Sequence, residues 1–227
     1  MAGPRSPSTA GVARRSAPAC LYVLAGTNGA GKSSVGGAAI RDRGADYFNP
    51  DEATRRIRAA NPYVTERDAN AAAWQEGRRL LEGAMAARAT FALETMLGGD
   101  TITGLLLRAL ADGLEVRIWY VGLATPELHI ARVRARVAGG GHDIPEDRIR
   151  LRFEHSRINL IRLLPRLTEL RLFDNSADAD PAAGAAPIPL LVLHVVAGKI
   201  AEMCDLAEVP AWAKPIVAAA LALSNNR

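Results

Sequence analysis

The run LYVLAGTNGAGKSS, Leu21 to Ser34, sets a short apolar stretch against a glycine-rich loop and a helix start. Few folds accept that order. Glycines let successive backbone N–H groups turn inward around an anion, and the helix N-terminus adds partial positive charge. Gly26-Thr27-Asn28-Gly29-Ala30-Gly31-Lys32-Ser33 fits the pattern G-x-x-x-x-G-K-[ST] without a mismatch, in the strand-loop-helix setting that the pattern requires. The expected nucleotide cradle is Gly26, Asn28, Gly29, Ala30, Gly31, Lys32, Ser33 and Ser34. In it Lys32 neutralises the outer phosphates and the Ser33 hydroxyl ligates Mg²⁺.

The rest of the chain alternates. A second short strand is expected near Tyr47 and Phe48. A helix follows from about Asp51, with Asn49 as cap and Pro50 at its first position. TERDANAAAWQEGRRLLEGAMAARA reads as a longer helix capped by Thr65, and TFALET as a third strand. Residues 101–112 read helical, and LEVRIWYVGL at 114–123 is a strand rich in β-branched and aromatic residues. Thr125-Pro126 opens a helix with Leu128, Ile130, Val133 and Val137 on its repeat, and Gly139 to Gly141 stops it. PEDRIRLRFEHSRINLIRLL restarts a helix and ELRLFDNS supplies a strand. Residues 177–187 read as a loop, and PIPLLVLHVV is a last strand or hairpin partner before a helical tail. This order predicts an α/β fold, a mainly parallel sheet with helices on both faces.

A length of 227 residues fits one domain, expected over 20–227, with 1–19 a disordered Pro/Ala/Ser leader. That leader carries Arg5, Arg14 and Arg15 without an apolar core, which excludes a secretory signal. No apolar run approaches membrane-spanning length. The net charge of +4 mildly favours anionic ligands. No interleaving of aromatic and basic residues marks a nucleic-acid surface, so nucleic acid is not an expected partner. Cys20 and Cys204 stand too far apart in sequence for a metal knuckle or redox pair, consistent with a reducing cytoplasm. The tryptophans Trp74, Trp119 and Trp212 read as packing residues.

A phosphate-binding loop can power motion, switch a conformation or transfer phosphate, and the acids discriminate. RIWYVGLA ends without the carboxylate of a motor ATPase, and no NKxD motif reads guanine. Asp51 and Glu94 fall at the ends of the second and third strands, where open parallel sheets gather their ligands. Asp51 could accept a hydroxyl proton or hold the metal. Glu94, with Thr95 beside it, could orient a substrate hydroxyl. Arg132, Arg134, Arg136, Arg148, Arg150 and Arg152 lie on two helices around a glycine turn and read as an arginine-rich lid near 126–160, able to stabilise a transferring phosphoryl group.

GTNGAGKSS, FNPDEATRRI, FALETML, GGHDIPEDRIRLRFEHSRINL and RLFDNS occur in this order over about residues 21–176. Together they resemble the zeta toxin family of small P-loop kinases. The resemblance implies an ATP- and Mg²⁺-dependent enzyme with Asp51 as general base and Glu94 binding the substrate. The lid arginines that it implies on the ATP phosphates are Arg136, Arg150 and Arg152. It further implies phosphorylation of the 3′-hydroxyl of UDP-N-acetylglucosamine or a related UDP-amino sugar, and an antitoxin protein as partner. Two other readings stay open. One is a kinase for a different hydroxyl, on a sugar acid, nucleoside or nucleic-acid end; the other is a nucleotide-dependent binding module that transfers nothing.

Overall fold

The computed structural model describes residues 19–37, 46–177 and 188–225. Strands β1 (Cys20–Ala25), β2 (Asp46–Phe48), β3 (Phe91–Thr95), β4 (Glu115–Gly122) and β5 (Glu169–Asp174) run parallel in the order β2-β3-β1-β4-β5. A hairpin, β6 (Leu190–Val196) and β7 (Lys199–Met203), extends the β5 edge antiparallel. The helices are α1 (Pro50–Ala60), α2 (Glu66–Ala87), α3 (Asp100–Ala111), α4 (Pro126–Ala138), α5 (Glu146–Leu163) and α6 (Lys214–Asn225). The α/β fold with a mainly parallel sheet is therefore as expected.

Side-chain caps fix helix starts, as Asn49 and Thr65 show. The Asn49 side chain accepts from Asp51 N at 2.8 Å and Glu52 N at 3.2 Å, and Pro50 takes the position where a missing N–H costs nothing. Thr65 accepts from Asp68 N at 3.1 Å.

The larger core lies on one face of the sheet. Leu21, Val23, Ile118, Tyr120, Leu170 and Leu172 pack there against Leu81 of α2, Leu106 of α3, Leu160 of α5 and Ile216 of α6. Tyr120 stacks on Trp212 at 6.1 Å and donates to Ser156 Oγ at 2.9 Å, and burial pushes its phenol up to about 12. The opposite face buries Leu24, Ala92, Val121 and Leu123, with Val35 after the loop and Leu128 of α4 against them. Ile130 and Val133 of α4 join Ile144 and Ile149 in a small separate core. Leu128, expected on the same stripe, turns instead to the sheet.

Several local readings change. The last part of the chain holds β7, where only a helical tail was expected. Ala197 and Gly198 both have positive φ, 48° and 77°, and close a two-residue hairpin that the short, mostly exposed KIAEM segment hardly signals. Trp74 is 41% exposed and does not serve the core. Of the helix expected to start after the glycine-rich loop, the described part is a π-helical turn, Ser33–Gly37. Residues 38–45, the leader up to residue 18 and the loop 178–187 lie outside the described residues. Within the expected lid, α5 changes character: its first half carries Arg148, Arg150 and Arg152, and its second half buries Ser156, Asn159, Leu160 and Leu163.

Candidate active site

The loop follows β1 at the C-terminal end of the sheet, and its shape depends on glycine, as Gly26 and Gly31 show. Gly26 has φ of 140°, and a Cβ there would stand 2.1 Å from the Val121 carbonyl oxygen. Gly31 has φ of 82°, and a Cβ there would meet Asn175 Nδ2 at 2.5 Å. Asn175 follows β5 and straps the loop by donating to the Ala30 carbonyl at 2.9 Å. Spacing did not single it out, although its place at a strand C-terminus follows the same rule that pointed to Asp51 and Glu94.

Two residues of the helix pair α4 and α5 grip the loop at Asn28. Arg152 Nη1 donates to Asn28 Oδ1 at 2.9 Å, and His129 Nδ1 lies 2.7 Å from the Asn28 carbonyl oxygen. A carbonyl only accepts, so Nδ1 carries the proton of a neutral imidazole. Burial, reinforced by the charges of Lys32 and Arg132 against the opposing Asn28 contact, pulls the His129 pKa down to about 4. An ordinary value near 6.5 in the unfolded chain then means that the unfolded state takes up a proton first as pH falls. His129 thus costs no stability above about pH 6.5 and makes the fold progressively weaker toward pH 4, by on the order of 3 kcal/mol in full. Urea unfolding at pH 7 and pH 5 should show a larger loss for the parent than for His129→Gln; equal losses would exclude this linkage.

Glu94 is the hub of the site. Its Oε1 lies 3.5 Å from Lys32 Nζ, with both side chains 9% exposed. Its Oε2 accepts from Ser33 Oγ at 3.1 Å, Tyr47 OH at 2.9 Å and Asn49 Nδ2 at 3.0 Å. The residue expected to orient an acceptor therefore sits against the lysine and serine of the phosphate loop. Thr95 turns its hydroxyl to its own chain, accepting from Leu97 N at 3.2 Å. Ser34 is exposed on the turn beyond the loop, its N–H bound to the Gly31 carbonyl.

Asp51, in the first turn of α1, is 60% exposed, and Arg136 Nη1 approaches its Oδ2 at 3.8 Å. The three expected arginines thus have different surroundings. Arg136 faces Asp51 and also donates to the His142 carbonyl at 3.0 Å. Arg150 pairs with Glu127 on the outside of α4. Arg152 is the least exposed of the three, half-buried: no carboxylate among the described residues pairs with it, and partial burial, then Arg148, holds its guanidinium below the usual range. His142, in the loop between α4 and α5, pairs with Glu66 at the start of α2.

The donor set suits a polyphosphate. A backbone cradle too tight for a Cβ, the Lys32 ammonium and a half-buried guanidinium without an acid partner among the described residues all favour anionic oxygen. Among the described residues no three His, Cys, Asp or Glu side chains gather into a metal cage. Mg²⁺ needs only one or two protein oxygens and completes its shell with phosphate and water. Ser33 and the Glu94 carboxylate beside it would supply such oxygens, with Asp51 in the first turn of α1 the other carboxylate of the expected site.

The parallel sheet, the loop after β1 and the arginine-bearing helices define a P-loop kinase. The zeta toxin family pattern matches residues 8–177, and the chain belongs to that family. A relative from Haemophilus influenzae, described as an uncharacterized protein, is 31% identical over 128 residues, 56% of this chain and 88% of its own. The crystal structure of AvrRxo1-ORF1:AvrRxo1-ORF2 with sulphate ions shares the fold at TM-score 0.62 and 18% identity, covering 86% of this chain and 64% of that one. Its counterpart with ATP aligns at TM-score 0.62 and 17% identity over 85% and 62%. This chain spans less than two thirds of those solved chains. Among the described residues no helix is long and apolar enough to cross a membrane.

Proposed function

We propose that the protein transfers the γ-phosphoryl group of ATP to a hydroxyl of a small molecule, with Mg²⁺ as cofactor. A UDP-amino sugar such as UDP-N-acetylglucosamine is the acceptor that the family implies. The observation that carries the reading is the pair of cations set into the loop, buried Lys32 against Glu94 and half-buried Arg152 against Asn28. Bound Mg²⁺ would neutralise phosphate charge. Lys32 holds the outer phosphates, and Arg152 exchanges its neutral Asn28 partner for a phosphoryl oxygen as charge builds there. Asp51, exposed and at the mouth of the β2 end, takes the proton from the acceptor hydroxyl. The acceptor oxygen forms a bond to phosphorus, the bond to the bridging oxygen breaks, and ADP leaves with that electron pair. Arg136 steadies the charged Asp51.

The ATP-containing AvrRxo1 complex supports the nucleotide, and its second chain, ORF2, supports a separate protein partner here, the antitoxin of the family reading. Free Cys20 and Cys204 fit the proposed cytoplasmic location. Mass spectrometry of products from the purified protein, Mg-ATP and a panel of UDP-amino sugars, sugar acids, nucleosides and nucleic-acid ends tests the reading. One acceptor should gain a phosphoryl group. If none does and no ATP is consumed, the protein is a binding module.

The arginines separate by burial. Arg152→Ala should lower kcat by roughly 10³-fold or more, the scale of a charge-stabilising arginine in phosphoryl transfer. Arg150→Ala should leave it within about fivefold, because an exposed pair with Glu127 contributes little. The reverse ranking in steady-state kinetics would move the transition-state role to Arg150.

A further inference from the structure

Asn49 is a buried side chain whose amide is used at both ends. Its Oδ1 accepts from Asp51 N and Glu52 N, fixing the first turn of α1, and its Nδ2 donates to Glu94 Oε2 at 3.0 Å. Turning the amide over would set oxygen against carboxylate and NH₂ against two N–H groups, so only one orientation satisfies both sides. The same Oε2 takes the Tyr47 hydroxyl at 2.9 Å and the Ser33 hydroxyl at 3.1 Å. A carboxylate carries about two acceptor sites on each oxygen, so three donors exceed what Oε2 can satisfy well. Ser33 is the donor with another task, since its oxygen is the one a loop-bound cation would draw on. Tyr47 and Asn49 then match the two sites that remain.

We infer that Tyr47 and Asn49 are positioning residues, with Asn49 the crosspiece that registers Asp51 on the acceptor side against Glu94 on the phosphate side. The inference rests on the kinase reading only for its consequence in turnover. Asn49 holds the backbone of Asp51 directly, because Asp51 is the second residue of α1 and its N–H is the closer of the two capped donors. It holds Glu94 through the side chain. A single 7%-exposed amide thereby sets the spacing between the two carboxylates, and Ser33 can rotate away without releasing Glu94.

Asn49→Ser tests this, because serine caps a helix about as well as asparagine yet cannot reach Glu94 with an N–H. It should lower kcat for Mg-ATP consumption, measured with the acceptor found by the product screen or with water, by roughly 10- to 100-fold, the usual scale for a supporting hydrogen bond to a functional ligand. KM for ATP should stay within about threefold and the melting midpoint should hold. In a Glu94→Gln background the same substitution should change kcat by less than about twofold, since the charge that it orients has gone. A purely structural Asn49 would cost the same factor in both backgrounds, and that result would overturn the inference. Asn49→Asp, which keeps the cap but opposes Glu94 with a second carboxylate, should be worse than Asn49→Ser and be partly rescued by Glu94→Gln. An absence of rescue also counts against the crosspiece. A readout independent of turnover is the Asn49 side-chain NH₂ resonance in ¹⁵N-labelled protein: it should move on Glu94→Gln. An unmoved signal refutes the contact itself, whereas a parent that consumes no ATP while the signal moves refutes the kinase reading and leaves the frame intact.

Discussion

Lys32→Ala should eliminate ATP-dependent turnover, with a loss of at least about 10³-fold and weakened nucleotide binding. A unit charge about 4 Å from an anion at the edge of a protein is worth ~4 kcal/mol at an effective dielectric constant of 20, and each 1.36 kcal/mol is a factor of ten in rate. Lys32 stands in that regime because its side chain is 9% exposed. Its 3.5 Å partner, Glu94, would lose a counter-charge but keep the hydroxyls of Ser33 and Tyr47 and the amide of Asn49, so the fold should survive. Lys32→Arg should not restore activity, since a planar guanidinium does not replace a compact ammonium inside a glycine loop. The measurements are kcat with saturating Mg-ATP, nucleotide affinity by calorimetry, and a melt to verify folding. Turnover within about tenfold of the parent would remove Lys32 from the mechanism and, with it, the phosphate role of the loop.

Much of this site could be read from the chain because it follows short-range rules. Glycines at positive φ, a lysine and a serine in fixed register, and an asparagine-proline cap are local chemistry, and Gly26, Gly31, Asn49 and Pro50 take the conformations that their types allow. The orientation of Glu94 was less legible, although strand periodicity contained it. Ala92 and Glu94 alternate onto one face of β3, and Ala92 packs there with Leu24 and Ala30 of the loop. A carboxylate two residues on therefore meets Lys32 and Ser33. Ranking the arginines required tertiary structure: Arg148 and Arg152 share a helix face, Arg150 points elsewhere, and only the placement of α4 shows that Glu127 waits for Arg150 while Asn28 waits for Arg152. His129 and Asn175 escaped notice for a related reason. Each binds a loop carbonyl, and a backbone partner leaves no mark on composition or spacing.

Asp51→Asn should leave ATP binding largely intact and reduce phosphoryl transfer by roughly 10²- to 10⁴-fold, the contribution of a general base. Asparagine keeps the shape and cannot take the proton. The carboxylate is 60% exposed, faces one guanidinium at 3.8 Å and stands in the first turn of α1, so its loss costs the helix only about 0.3–1 kcal/mol of favourable charge at the N-terminus. A collapse of the fold therefore cannot account for a deficit of that size. The competing explanation is metal binding, because a weakened Mg²⁺ site would also slow transfer. The two separate in a titration: a missing base leaves kcat low at any Mg²⁺ concentration, whereas a missing ligand is overcome by raising it. Nucleotide affinity measured alongside should change little in the first case. If Asp51→Asn turns over as well as the parent at saturating Mg²⁺, Glu94 is the remaining carboxylate of the site and becomes the next residue to test as base. Its surroundings argue against success, since Lys32 faces one oxygen and three donors crowd the other, so the carboxylate is engaged with the phosphate loop and its flanks. Glu94→Gln would then be expected to fail through lost positioning, with KM and kcat both disturbed, and the proton would have to leave through the phosphate itself.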